Sequence, residues 1–184
     1  QHASKGLLWG AVRGREAGTV SALLGEIRGM DVLELGCGAG FYTRMLLSEG
    51  ARRVWAVGIS AAMPDELPKS GVTPIRSDAA TVQPGRLFDI ILSAGMLEFV
   101  DDPAAALRGA ARCARPGARM VILFPTSSLL GRAYRRFHKR NGLAITLFDR
   151  RTIAALAGGA GWTVEEIRRA GPYSAAARLT RREG

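Results

Sequence analysis

One short stretch limits the folds open to this sequence more than any other. An apolar run, Asp31-Val-Leu-Glu-Leu35, passes straight into Gly36-Cys-Gly-Ala-Gly40 and then into a helical pattern from Phe41 to Glu49, ended by Gly50. A buried strand that ends in glycines and opens a helix is the first half of a strand–helix–strand crossover. Glycine has no Cβ, so a ligand can come close to the backbone N–H groups there, beside a helix N-terminus. The spacing is G-x-G-x-G rather than the G-x-G-x-x-G of dinucleotide enzymes. The spacing alone carries little; Glu34, two positions before the first glycine, adds specificity.

The alternation continues along the chain. Before the loop, residues 15–28 read as an amphipathic helix with Val20, Leu23, Leu24 and Ile27 on one side. After it come strands at 54–57, 72–76, 88–92 and 119–124, with helices at 61–67 and 104–114 between them. Strands that alternate with helices pair in parallel through right-handed crossovers. The ending differs: after helices at 127–140 and 150–157, two strand-like runs, 162–167 and 175–179, are joined by the turn-like Arg168-Arg-Ala-Gly-Pro-Tyr173. That link is too short for a crossover helix, so the pair is antiparallel at a sheet edge. The expected fold is α/β: a doubly wound, mostly parallel seven-stranded sheet with an antiparallel last strand and helices on both faces. Residues 1–184 are expected to form one domain, with 1–30 a helical entry segment.

Composition narrows the setting. Apolar residues make up 47% and charged residues 23% of the chain, a globular balance. No run approaches the roughly 20 apolar residues of a membrane span, and the N-terminus lacks a signal-peptide pattern. Cys37 and Cys113 have no metal-ligand spacing, nor do His2 and His138, so no metal is expected and a reduced, cytoplasmic setting is the simplest reading. Charge is uneven: residues 1–102 carry 10 Lys+Arg against 12 Asp+Glu, whereas residues 103–184 carry 16 against 4. Such a half attracts nucleic acid, an anionic membrane or an acidic small molecule, or is a solvated arginine-rich surface. The basic residues are scattered rather than interleaved with aromatics, which favours the solvated surface. No dedicated nucleic-acid motif is present.

Together with Glu34 and the glycine loop, Ser77-Asp78-Ala79, Phe88-Asp-Ile-Ile-Leu-Ser-Ala-Gly-Met-Leu-Glu-Phe-Val100 and Arg115-Pro-Gly-Ala-Arg-Met-Val-Ile-Leu123 follow at ordered spacing. In these four motifs the sequence resembles the class I S-adenosylmethionine-dependent methyltransferases, from about Val32 to Leu179. The resemblance implies S-adenosylmethionine as cofactor, with Gly36, Cys37, Gly38 and Gly40 around its methionine part and Glu34 toward its ammonium end. It implies Asp78 on the adenine amino group, the Ala79 N–H beside it, Ser93 and Ala94 on the methionine side near the reactive methyl, and Met96 packed near the cofactor. Each has a plainer alternative: Glu34 as a helix cap, Asp78 as a turn residue, Met96 as core. One departure stands at Gly58, followed by Ile59, where the family carries Asp or Glu to accept both ribose hydroxyls. Charge-assisted hydrogen bonds of that kind are each worth about 1.5–3 kcal/mol, so their loss implies binding weaker by about tenfold or more. Asp65 or Glu66 is a substitute acceptor on the next helix. Gly58 is open to several meanings: a weak binder, an altered cofactor, a retired copy or an engineered position.

The resemblance also implies a small-molecule methyl acceptor at oxygen, nitrogen or carbon. Asn-Pro-Pro-Tyr after the fourth strand and a Pro-Cys pair, the marks of nucleic-acid amine and cytosine-carbon chemistry, are both missing. Glu98 and His138 are the titratable candidates for a catalytic base. Tyr134, Phe137 and His138 share one helix face at spacings of three and four, within a segment, 126–148, where this family builds substrate lids. They line an acceptor pocket or dock the helix. The Pro125-Thr-Ser-Ser-Leu-Leu-Gly and Gly-Pro-Tyr-Ser runs resemble porphyrin-ester and quinone-pathway enzymes without naming a substrate. Two alternatives stay open: a catalytically weakened or non-catalytic domain of this fold, and an RNA or protein methyltransferase using the arginine-rich half.

Overall fold

A computed structural model describes the backbone of residues 2–183 and the side chains of residues 10–63 and 65–183. The His2 side chain therefore lies outside the described residues. Seven strands form one sheet: β1 (Asp31–Leu35), β2 (Arg53–Gly58), β3 (Val72–Arg76), β4 (Phe88–Ala94), β5 (Ala114–Pro125), β6 (Trp162–Arg169) and β7 (Ser174–Arg181). Their order is β3-β2-β1-β4-β5-β7-β6. The first five are parallel to one another, and β7 runs antiparallel to both β5 and β6. The short 168–173 link thus makes the expected hairpin, with β7 inserted between β5 and the edge strand β6.

The helices are α1 (His2–Leu24), α2 (Phe41–Ser48), α3 (Met63–Glu66), α4 (Pro103–Arg112), α5 (Leu129–Arg140) and α6 (Arg150–Gly159). Side chains alternate across the central strands, which divides the core in two. Val32, Ile90, Leu92, Val121 and Leu123 pack with Val20, Leu23 and Leu24 of α1 and Leu46 of α2. Leu33, Leu35, Ile91, Met120 and Ile122 pack with Ala106, Leu107 and Ala110 of α4 and Ile153 and Ala157 of α6. Both faces of a mostly parallel sheet are therefore covered, as near-continuous apolar strands require. Trp162 is fully buried, and its Nε1 donates to the Leu107 carbonyl at 3.0 Å, tying β6 to α4.

Several boundaries differ from the sequence expectation: α1 starts at His2 rather than Arg15, and three others have a visible local cause. α1 stops at Leu24 rather than Arg28, because Gly25 adopts φ +63° and its N–H closes on the Ser21 carbonyl. The helix expected at 61–67 shrinks to one turn, Met63–Glu66, with Pro64 in its first turn and Pro68 just beyond its end. The Arg115-Pro-Gly turn lies inside β5 as a bulge, where pairing jumps from Phe88↔Ala114 to Ile90↔Arg119. Side-chain caps fix other helix starts: Asp102, Ser128 and Asp149 accept from the N–H groups of Ala105, Gly131 and Thr152.

Candidate active site

Strand order reverses between β1 and β4, so the loops after their C-terminal ends part to opposite faces and leave a crevice, the usual ligand site of such sheets. A cavity of about 680 Å³ opens there. The loop Gly36–Ala39 forms one wall and Ala94, Gly95, Glu98 and Phe99 a second. Arg13 and Glu16 reach in from α1, Tyr134 from α5, and Tyr173 and Ser174 from the β6–β7 hairpin.

The three loop glycines, all at positive φ, serve different contacts. A Cβ on Gly36 would lie 2.5 Å from Cβ of Met96, and one on Gly40 would lie 2.8 Å from Cδ2 of Leu67. Those two are glycine because protein fills the space. Gly38, at φ +51°, has nothing within 4 Å of that position and faces the cavity. The loop is held rigid from below: the N–H groups of Gly36 and Cys37 both donate to the Val57 carbonyl, at 2.9 and 3.0 Å.

Glu34 is buried beneath the loop, and its carboxylate accepts the Thr43 hydroxyl at 2.5 Å. Burial pushes its carboxyl up to about 7, against the lowering effect of the side-chain and backbone hydrogen bonds from Thr43. Thr43 lies in the first turn of α2, so the helix-cap alternative for Glu34 describes its contacts. Gly58 ends β2, where a Cβ would stand 2.7 Å from Sδ of Met63 and 3.4 Å from Sγ of Cys37. The buried Met63 side chain thus occupies the ground a carboxylate at this position would need. Ile59 is exposed. Asp78 is exposed and its Oδ1 accepts the Ala80 N–H at 2.7 Å, the turn geometry of its alternative reading. Ala79 is buried under α4, whose Gly109 sits against its carbonyl. Ser93 is fully buried with no hydrogen-bond partner for its hydroxyl, and Met96 is half-buried over Gly36.

On the acceptor side, Glu98 is buried and lines the cavity with one carboxyl oxygen, Oε2, unpartnered. Burial pushes it up to about 7, and the charge of Glu16 acts in the same direction. Glu16 is itself raised by burial, opposed by the Ser174 hydroxyl, which donates to it at 2.5 Å, and by Arg13. The rings of Tyr134 and Tyr173 stack at 4.4 Å and 9°. Burial raises both phenols, Tyr173 to about 12. His138 sits edge-on to Tyr134 at 4.4 Å and against Phe99 at 5.9 Å, with its pKa lowered by burial. Phe137 is exposed, with its ring edge-on to His138 at 5.7 Å.

Of the residues singled out in the sequence, Gly36, Cys37, Gly38, Ala94, Glu98 and Tyr134 come together on this cavity. Glu34, Gly40, Gly58, Met96 and His138 stand behind its walls, while Ile59, Asp78 and Phe137 face solvent. The shared face expected for Tyr134, Phe137 and His138 is corrected to Tyr134 and His138: the i, i+4 pair turns inward and Phe137 turns out. Arg13, Glu16 and Tyr42 are not singled out in the sequence, and the Gly-Pro-Tyr-Ser run gives no sign that Ser174 meets Glu16 across 158 positions. Among the described residues no cluster of His, Cys, Asp and Glu could hold a metal.

A family model described as a methyltransferase domain matches residues 9–167. Ribosomal RNA small subunit methyltransferase A of Cereibacter sphaeroides is 41% identical over 88 residues, covering 48% of this chain and 27% of its own length. Ubiquinone biosynthesis O-methyltransferase of Xanthomonas euvesicatoria is 36% identical over 110 residues, covering 53% and 44%. The chain therefore spans less than half the length of either relative. A solved SAM-dependent methyltransferase of Thermotoga maritima superposes with a TM-score of 0.77 at 23% identity, covering 98% of this chain and 96% of that one.

Proposed function

This chain belongs to the class I S-adenosylmethionine-dependent methyltransferases, and on that premise we propose that it methylates a small molecule bound in the cavity beside Glu98. The observation that carries this reading is Glu98 itself: a buried carboxyl with one shielded, unpartnered oxygen, on a residue that lines a cavity whose 680 Å³ lies within the usual range of small-molecule sites. At its methionine end the cofactor fits. Gly38 leaves open space beside the backbone, and Arg13, whose guanidinium lies 5.1 Å over the Phe41 ring next to the loop, would meet a carboxylate. At its ribose end it fits less well, because Met63 fills the ground beside Gly58.

When bound, S-adenosylmethionine supplies an electrophilic methyl whose transfer depends mainly on in-line positioning. Ala94 and Gly95 border the space between the glycine loop and Glu98. A carboxyl titrating near 7 is matched to accept a proton from an acceptor O–H or N–H at neutral pH. The Tyr134–Tyr173 stack offers an aromatic wall for a ring-bearing acceptor. The ubiquinone-pathway relative, an O-methyltransferase by name, is in keeping with such an acceptor and with oxygen as its methylated atom. Both cysteines are free and buried, in keeping with a reducing cytoplasm. Residues 126–148, which carry Tyr134, would act as the lid.

A second reading, a domain that keeps the fold with weakened chemistry, is favoured by Met63 beside Gly58. A ribosomal RNA acceptor draws support from the other relative and the basic half. One experiment separates the three: calorimetry with S-adenosylhomocysteine, followed by transfer of labelled methyl to phenols, amines and ribosomal RNA. Binding with transfer to a phenol or amine is expected. No binding sinks the catalytic reading, and transfer to RNA alone sinks the small-molecule one.

A further inference from the structure

The helix α5 is anchored to the fold by few groups. Gly131 is its one buried residue, pressed so close to the Thr126 carbonyl that no Cβ would fit. Tyr134 and His138 add the ring contacts described above. At about 100° per residue these three share one side. Arg132, Arg135, Arg136, Lys139 and Arg140 are the only charged residues between 127 and 148, and among the described residues none of the five is in an ion pair. Among and beside them stand apolar side chains that the fold leaves bare: Leu129 is 83% exposed, Leu130 53%, Phe137 54% and Leu143 49%, and Leu130 and Phe137, seven positions apart, share one side of the helix. A groove of about 770 Å³ between α5 and residues 142–145 joins both characters, with Arg132, Arg135, Arg136 and Lys139 on one wall and Leu143 and Ile145 on the other.

We propose that α5 and the segment through Leu143 dock this protein on an anionic bilayer surface. Four bare apolar side chains would enter the boundary between headgroups and acyl chains, and the cations beside them would meet lipid phosphates. Interfacial helices combine these two signals, an apolar stripe and flanking basic residues, because either alone binds weakly and reversibly. The charge fits an anionic sheet, since residues 103–184 carry 16 basic residues against 4 acidic ones. RNA accounts for the arginines but not for the three leucines, which offer neither a stacking face nor a hydrogen bond. This inference does not rest on the methyl-transfer reading. It does place the membrane beside the cavity, because Tyr134 lines the cavity from the same helix.

The test is sedimentation of the 184-residue chain with vesicles at physiological salt. Vesicles of phosphatidylcholine with phosphatidylglycerol should carry the protein down, and vesicles of phosphatidylcholine alone should not. Two exposed double variants, Leu130→Ser with Phe137→Ser and Arg135→Glu with Arg136→Glu, should each partition about tenfold more weakly while unfolding at the parent temperature. Binding that survives the serine pair and vanishes with the glutamate pair is electrostatic adsorption and overturns the proposal. So does submicromolar RNA binding at this salt that only the glutamate pair abolishes, or a dimer in solution that the serine pair splits.

Discussion

Sδ of Met63 lies 2.7 Å from the point where a Cβ on Gly58 would begin. The lost ribose acceptor and the methionine are therefore one feature: a carboxylate cannot be restored at 58 without moving the thioether. Gly58→Asp alone is expected to cost about 1–3 kcal/mol of stability through overpacking, with no gain in affinity for S-adenosylhomocysteine. Combined with Met63→Ala, which clears the space, the same Asp should tighten binding by about tenfold through charge-assisted hydrogen bonds. Thermal unfolding and calorimetry on the single and double variants check both halves. Tighter binding by the single variant would show that Met63 yields freely.

The loop glycines separate in the same way. Gly36→Ala should lower stability and Gly38→Val should lower affinity, because one glycine is packed under Met96 and the other looks into open cavity. Both carry a positive φ, so each also costs about 1 kcal/mol of backbone strain. The discriminating result is a loss of S-adenosylhomocysteine binding by about tenfold or more in Gly38→Val, beyond anything its unfolding temperature explains. Equal affinity in Gly38→Val and parent would remove the loop from the site.

Glu98 fixes the expected pH profile. With its carboxyl near 7, turnover on an O–H or N–H acceptor should rise with pH through that value as the base form accumulates. Glu98→Gln should remove this limb and slow turnover by about 10²–10⁴-fold, while the affinity for S-adenosylhomocysteine is kept. His138→Ala should leave the limb in place, since that ring stands behind Tyr134. An unchanged profile in Glu98→Gln would assign the base elsewhere.

Glu34 and Glu98 also set how stability varies with pH. Both carboxyls are held near 7 in the fold against an unfolded value near 4.5, so between these limits the folded chain binds more protons than the unfolded one. Their contribution is fully present below about pH 4.5 and is lost as pH rises through 7. The loss is on the order of 3 kcal/mol per group. Unfolding temperatures measured from pH 5 to pH 8, at roughly one-unit steps, should therefore fall, and the double variant Glu34→Gln with Glu98→Gln should flatten the decline. A parent curve that is flat across this range would mean that water reaches these carboxyls.

Most of the frame was legible because the signals were periodic and local. The run Val32-Leu-Glu-Leu35 into the glycines, the alternating later strands and the short Arg168–Tyr173 link specified a mostly parallel seven-stranded sheet with an antiparallel ending, which the structure bears out. Boundaries failed where a single glycine overrode a longer pattern, as Gly25 did in α1. The cavity was legible only along the stretches that supply consecutive residues, Gly36–Gly38 and Ala94–Glu98. Its remaining walls come from positions that meet only in three dimensions. Arg13 reads as an ordinary helix arginine, and nothing near Ser174 hints at Glu16.

That last contact has a bearing on how the protein comes into being. The hydrogen bond from Ser174 to Glu16 spans 158 positions, and the cavity between them borrows its rim from the first helix and the last hairpin. Closing so long a separation costs chain entropy before the contact returns any of it. On the ribosome, the strands β1 to β5 can pair as they emerge, but the chamber has no rear wall until β7 has slid between β5 and β6. Chains that have emerged only as far as β5 can therefore carry a glycine loop but no acceptor chamber, and the finished site waits for β7.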